Sequence, residues 1–162
     1  MLFRSVGGPI MKDKMFFFLD GERTIQHLAA PVLVAAPFDA WSGTFASPFH
    51  EADLVGKLDY QVTKSLHMFY RFSYFQNYIN TSFGTASFSP YDNTDRTRDH
   101  VLGADWTSGS FTHSIRFEYL KFKNNISDTV IGSGLPGSDL PISLNMAASG
   151  LSTGPSYLAP QS

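Results

Sequence analysis

Phe111-Thr112-His113-Ser114-Ile115-Arg116-Phe117-Glu118-Tyr119 decides how this chain reads. Phe111, Ile115, Phe117 and Tyr119 fall on one side of an extended backbone; Thr112, Ser114, Arg116 and Glu118 fall on the other. Side chains alternate across a strand with a period of two, so the stretch predicts a β-strand with one apolar and one polar face.

The same period spreads outward from it. Before the turn signal Ser108-Gly109-Ser110, Leu102, Ala104 and Trp106 oppose Val101, Gly103, Asp105 and Thr107. Further upstream, Met68, Tyr70, Phe72, Tyr74 and Tyr78 line one face. His67, Arg71, Ser73 and Asn77 line the other, interrupted by Phe69 and Phe75. Before Thr63-Lys64-Ser65, Leu54, Gly56, Leu58, Tyr60 and Val62 oppose Asp53, Lys57, Asp59 and Gln61. Met15 to Thr24 opens with Phe16, Phe17 and Phe18, which put apolar surface on both faces at once, while Asp20, Glu22 and Thr24 follow on the Phe16 side. A further strand end is expected at Phe3 to Ile10. Thr24 to Ala30 is expected to form at most a helical turn, stopped by Pro31.

Short and long connections alternate strictly. Met11 to Lys14, Thr63 to Ser65 and Ser108 to Ser110 are short. Gln26 to His50, Asn80 to Thr97 and everything from Asn124 onward read as long, polar and rich in Ser, Thr, Pro and Gly. In an up-and-down antiparallel sheet this puts all short turns at one end and all long loops at the other, as in outer-membrane barrels. Strand spans of roughly nine to twelve residues suit a tilted bilayer crossing. Tyr60, Tyr74, Tyr78, Trp106 and Tyr119 fall near strand ends on the apolar face, where an amphipathic ring suits the headgroup level. The fold predicted is all-β: an antiparallel up-and-down meander, a partial outer-membrane β-barrel of about five to six strands with long loops. Residues 1–123 are expected to form the barrel part, and 124–162 a long Gly/Ser/Pro-rich loop or disordered tail.

Composition narrows the function. The chain has 162 residues, net charge −2 and no cysteine. A near-neutral balance gives no electrostatic footprint for nucleic acid, and the missing thiols exclude disulfide frameworks, thiolate metal sites and cysteine nucleophiles. Fifteen Phe and seven Tyr in a polar background fit strands that are wet on one face and greasy on the other. No run approaches the roughly 20 apolar residues of a spanning helix. Met1-Leu2-Phe3-Arg4 leads into glycines without the apolar core of a secretory signal, so a membrane reading expects more protein before this chain.

Motifs that resemble catalytic sites lack their context. Gly132-Ser133-Gly134-Leu135-Pro136-Gly137 fits G-x-G-x-x-G, but Pro136 and Pro141 oppose the helix that a dinucleotide site needs. Gly150-Leu151-Ser152-Thr153-Gly154 fits G-x-S-x-G, yet Pro155 follows where a nucleophile elbow needs a helix. None of the five histidines forms a helical metal pair; His67 and His113 could meet across strands, but they are expected as lumen-facing or interfacial polar residues rather than metal ligands. Asp53 with Asp59, and Arg116 with Glu118, share strand faces and predict charge ladders across neighbouring strands rather than acid/base pairs. Asp92, Asp95, Arg96, Arg98 and Asp99 read as the solvated base of a loop, with Arg96 and Arg98 available to anionic lipopolysaccharide or substrate. No catalytic, cofactor or metal residues are assigned, and no enzyme activity is expected.

Gly7-Gly8-Pro9-Ile10-Met11-Lys12-Asp13-Lys14-Met15-Phe16-Phe17-Phe18, followed by Glu22, resembles the start of the barrel in TonB-dependent outer-membrane transporters of the Oar-like branch. Gly56 to Thr63, Met68 to Tyr74, His100 to Gly103 and Ser114 to Phe122 continue the likeness in order. The resemblance implies a parent protein in which a plug sits inside a barrel of about 22 strands and an inner-membrane TonB complex pulls on that plug, giving energised uptake of a bulky substrate. On that reading this chain is an internal piece of the barrel, inactive alone. Its partners are outer-membrane lipid, the plug and the remaining strands. Met68, Tyr70, Phe72, Tyr74, Leu102, Trp106, Phe111, Ile115, Phe117 and Tyr119 face lipid; Lys57, Asp59, Gln61, Arg71, Asp105, Arg116 and Glu118 face the lumen. Two other readings stay open: a non-transporting structural or adhesive outer-membrane sheet, and a soluble β-sandwich binding module.

Overall fold

Each of the three short turns closes a hairpin. At the first, Lys14 N donates to Met11 O at 3.1 Å and Asp13 takes a left-handed φ of 59°, a conformation that Asp tolerates better than most residues. At the second, Ser65 N donates to Thr63 Oγ1 at 3.2 Å, and Gln61 Nε2 donates to the carbonyls of Thr63 and Leu66 at 2.6 and 3.3 Å. At the third, Gly109 has φ +61° with open space around its α-carbon. Glycine reaches that conformation without steric cost.

The computed structural model describes residues 2–81, 87–88, 90–131, 133–134, 139, 144–146 and 151–153. The strands are β1 (Leu2–Met11), β2 (Met15–Val32), β3 (Gly43–Thr63), β4 (Leu66–Thr81), β5 (Ser87–Phe88), β6 (Tyr91–Ser108), β7 (Phe111–Asp128), β8 (Leu144–Met146) and β9 (Leu151–Thr153), with one 3₁₀ turn at Asp39–Trp41. Six of them form one antiparallel meander in the order β1-β2-β3-β4-β6-β7. Its edges, β1 and β7, do not pair with each other, so the sheet is open and agrees with a partial barrel. The short strands form a second sheet, β5-β9-β8, in which β5 and β9 run parallel and β8 and β9 antiparallel. No helix among the described residues is long and apolar enough to cross a membrane.

The strands run longer than the sequence suggests. Four of them span 18 to 21 residues, so parts of the expected long loops are strand. Thr24 to Ala30 continues β2 instead of turning as a helix. The Asp92–Asp99 stretch lies inside β6, not at a loop base. The strand end expected at Phe3 to Ile10 is all of β1, in register with β2 from Leu2↔Arg23 to Met11↔Met15 with an irregularity between Pro9 and Met11. The line drawn after residue 123 falls within β7. Most of Gly132–Gly137, and the glycines that bound Gly150–Gly154, lie outside the described residues.

Backbone contacts divide the chain into two compact units. One comprises Met1–Thr24, Glu51–Gln76 and Asp95–Lys123, and contains all three hairpin turns. The other comprises Ile25–His50, Asn77–Thr94 and Asn124–Ser162. In the second, Val32 and Val34 are buried against Phe38 and Phe45. Val34 N donates to Ser42 Oγ at 2.9 Å, which secures the connection after β2. Asp128 Oδ2 accepts from the backbone N of Val130 and Ile131, both at 3.1 Å, and ends β7 in a turn. Tyr78 Oη and Asn80 Nδ2 both donate to Asp92 Oδ1, at 2.7 and 2.8 Å.

Very little apolar surface is covered. Val32, Val34, Val101 and Val130 are the buried hydrophobic side chains among the described residues. A water-soluble domain of this length ordinarily assembles a continuous core. Here rings of the edge strand β7 stay on the surface, Phe111 72% and Phe117 68% exposed, while Phe17, Phe69, Phe72 and Phe75 are half-buried.

Candidate functional site

Within the unit that holds the hairpin turns, the sheet has two chemically different faces. On the charged face, Lys57 Nζ lies 2.9 Å from Asp59 Oδ1. His67 Nε2 meets the same carboxylate oxygen at 3.1 Å, and His67 Nδ1 lies 3.8 Å from Asp105 Oδ2. Arg116 Nη2 donates to both oxygens of Asp105 at 2.9 Å, and Ser114 Oγ donates to Oδ1 at 2.8 Å. The ladder therefore crosses β3, β4, β6 and β7 without a break. Phe69 sits inside it. Lys57 and Arg116 stand over its ring at 5.5 and 4.8 Å from the centroid, a favourable placement of cations on a π-face. Arg71 Nη2 donates to the largely buried Asp99 at 3.1 Å, while Asp99 Oδ1 has no hydrogen-bond partner.

The other face is aromatic. Tyr70 Oη and His100 Nδ1 share a hydrogen bond at 2.7 Å. The His100 ring also lies 5.0 Å from Phe72 and 6.2 Å from Tyr119. Trp106 stacks on His113 at 4.9 Å. Toward β1, Ile10, Phe17, Leu19, Leu58, Tyr70 and Phe72 line an apolar hollow of about 520 Å³. Gly56 makes room there for Leu19, whose Cδ2 would stand 3.2 Å from a β-carbon at that position.

Contacts bring Tyr70, Phe72, Trp106 and Tyr119 onto this face, and strand alternation adds Met68, Tyr74, Leu102, Phe111, Ile115 and Phe117. Lys57, Asp59, Arg71, Asp105 and Arg116 meet on the charged face; Gln61 closes its turn, and Glu118 follows Arg116 by alternation. His67 and His113 do not meet across the strands. His67 belongs to the charged ladder, whereas His113 lies against Trp106 on the opposite face. The β6–β7 hairpin pairs even positions of β6 with odd positions of β7, and that parity separates them.

Two features escaped the sequence reading. Phe69 looked like an interruption of its polar face, and is the ring that the ladder is built around. Lys121 and Lys123 stand beside Arg96 and Arg98; their odd numbers, continuing the Phe117–Tyr119 side, were the available signal. Among the described residues no group of three or more His, Cys, Asp or Glu side chains is arranged to hold a metal ion.

The fold and the two faces define a class: an open antiparallel β-meander, charged on one side and aromatic on the other. No family model, curated protein or solved structure matches the chain.

Proposed function

We propose that this chain is part of an outer-membrane β-barrel, with the aromatic face against lipid and the charged ladder toward the lumen. The observation that carries this reading is the aromatic face, left exposed in a sheet that buries few apolar side chains among the described residues. In water such a face favours aggregation; in hydrocarbon it is stable. The strict alternation of hairpin turns with long connections agrees with barrel topology. The open sheet fits a piece of such a barrel, whose edges the remaining strands would pair, since an edge inside lipid otherwise leaves backbone groups unpaired.

Within this class we assign the parent protein to the TonB-dependent transporters, of the Oar-like branch. The support is the Gly7–Phe18 stretch and the order of the strand motifs behind it. The parent would take up a bulky substrate across the bacterial outer membrane, and this piece alone would transport nothing. No enzymatic role is proposed.

Refolding the chain in the presence of phosphatidylcholine vesicles tests the membrane assignment. The expected result is co-flotation with the vesicles, the aromatic face against the bilayer, and protection of the hairpins from protease. A detergent-free, water-soluble monomer that ignores vesicles would overturn it in favour of a soluble binding module.

A further inference from the structure

Four cations gather on the aromatic side of the sheet. Arg96 and Arg98 of β6, with Lys121 and Lys123 of β7, line a recess of about 120 Å³. All four are exposed. None of them enters an ion pair among the described residues. Asp99 lies on the opposite face, held by Arg71, and Asp95 shares its side of the strand by alternation.

The register sharpens the point. Trp106 stacks on His113, and the His100 ring lies against Tyr119. Continued along both strands, that pairing sets Arg98 opposite Lys121 and Arg96 opposite Lys123. Like charges directly opposite one another destabilise a sheet. Two such pairs in succession are a net cost unless an anion lies among them.

Position identifies the anion. The first basic pair stands one same-face step beyond His100 and Tyr119, about 7 Å along the strand, toward the ends that carry the long connections. Interfacial aromatics mark the headgroup level of a bilayer, so the next step is level with headgroup phosphates. Arginine offers a planar fork that matches phosphate oxygens, and lysine adds point charge.

We propose that Arg96, Arg98, Lys121 and Lys123 bind the phosphates of an anionic lipid headgroup in the outer leaflet, the phosphorylated anchor of lipopolysaccharide. The proposal rests on the outer-membrane reading above. The site clamps one lipid against β6 and β7 and neutralises the two repulsive pairs.

The test compares neutral phosphatidylcholine vesicles with the same vesicles containing bisphosphorylated lipid A. The wild-type chain is expected to partition more tightly into the second set. The combined variant R96Q/R98Q/K121Q/K123Q is expected to lose that preference, with each removed charge lowering the partition coefficient about five-fold, and to keep its association with neutral vesicles. An unchanged preference in the variant overturns the proposal. So does equal binding of fully dephosphorylated lipid A. Calorimetric binding of inorganic phosphate as tight as that of lipid A would assign the site to a free anion instead and overturn the lipid. Failure of the wild-type chain to join either vesicle removes the outer-membrane reading itself, an outcome distinct from those three.

Discussion

The ring of Phe69 fills the space that any side chain at Gly103 would need. A β-carbon on Gly103 would stand 2.6 Å from Phe69 Cζ and 2.9 Å from Arg116 Cδ. The glycine on β6 therefore lets β4 place an aromatic ring between two cations. Gly103→Ala is expected to cost about 1–3 kcal/mol through overpacking. In urea unfolding of the vesicle-bound protein, Phe69→Ala in the same chain should make that cost nearly vanish. Additive losses in the double variant would show that the two positions do not compete for space.

Among the described residues Arg71 is the partner that holds Asp99, a largely buried carboxylate. Its loss leaves both oxygens of Asp99 without a partner among the described residues. Arg71→Met is expected to lower stability by about 1–3 kcal/mol, the desolvation cost of an unsatisfied polar group, and Asp99→Asn in that background should restore part of it. Denaturant midpoints of the single and double variants measure this. A double variant no more stable than Arg71→Met would contradict the pairing.

Phe117 and Arg116 are neighbours in sequence on opposite faces. Phe117→Arg puts a charge on the face assigned to lipid, at a cost of about 2–4 kcal/mol near mid-bilayer. Vesicle insertion of the Phe117→Arg chain is expected to fall sharply. Glu118→Arg, on the charged face, should insert like wild type. Equal insertion of both variants would contradict the assignment of the faces.

Trp106 reports depth. The chain has two tryptophans, so Trp41→Phe leaves Trp106 as the single fluorophore. Brominated lipids should quench it, more strongly when the bromines lie near the headgroup than at the chain end. No quenching at either depth would remove Trp106 from the interface.

Much of the architecture was legible because β-sheet chemistry is local. Alternation marked the faces of β3, β4, β6 and β7, and polar turn residues marked all three hairpins. Strand ends were harder to read. Thr24 to Pro31 carries no alternation, since Ile25, Leu28 and Ala30 do not share one side, yet backbone pairing extends β2 through it. Whether His67 and His113 share a face was open for a related reason. A one-residue change in turn length exchanges the faces of everything after it. The observed pairings of Trp106 with His113 and of His100 with Tyr119 fix that parity. The basic recess stayed hidden because cations on a greasy side look like the end of a pattern rather than its continuation.

The outermost strands, β1 and β7, each keep one row of backbone donors and acceptors without a sheet partner among the described residues. Such a rim is a template for further strands. In water a second molecule can dock there, then a third, with no geometrical stop. The fate of a newly made chain is then a race between bilayer capture and fibre growth. A holdase that shields those rims in transit would decide the winner.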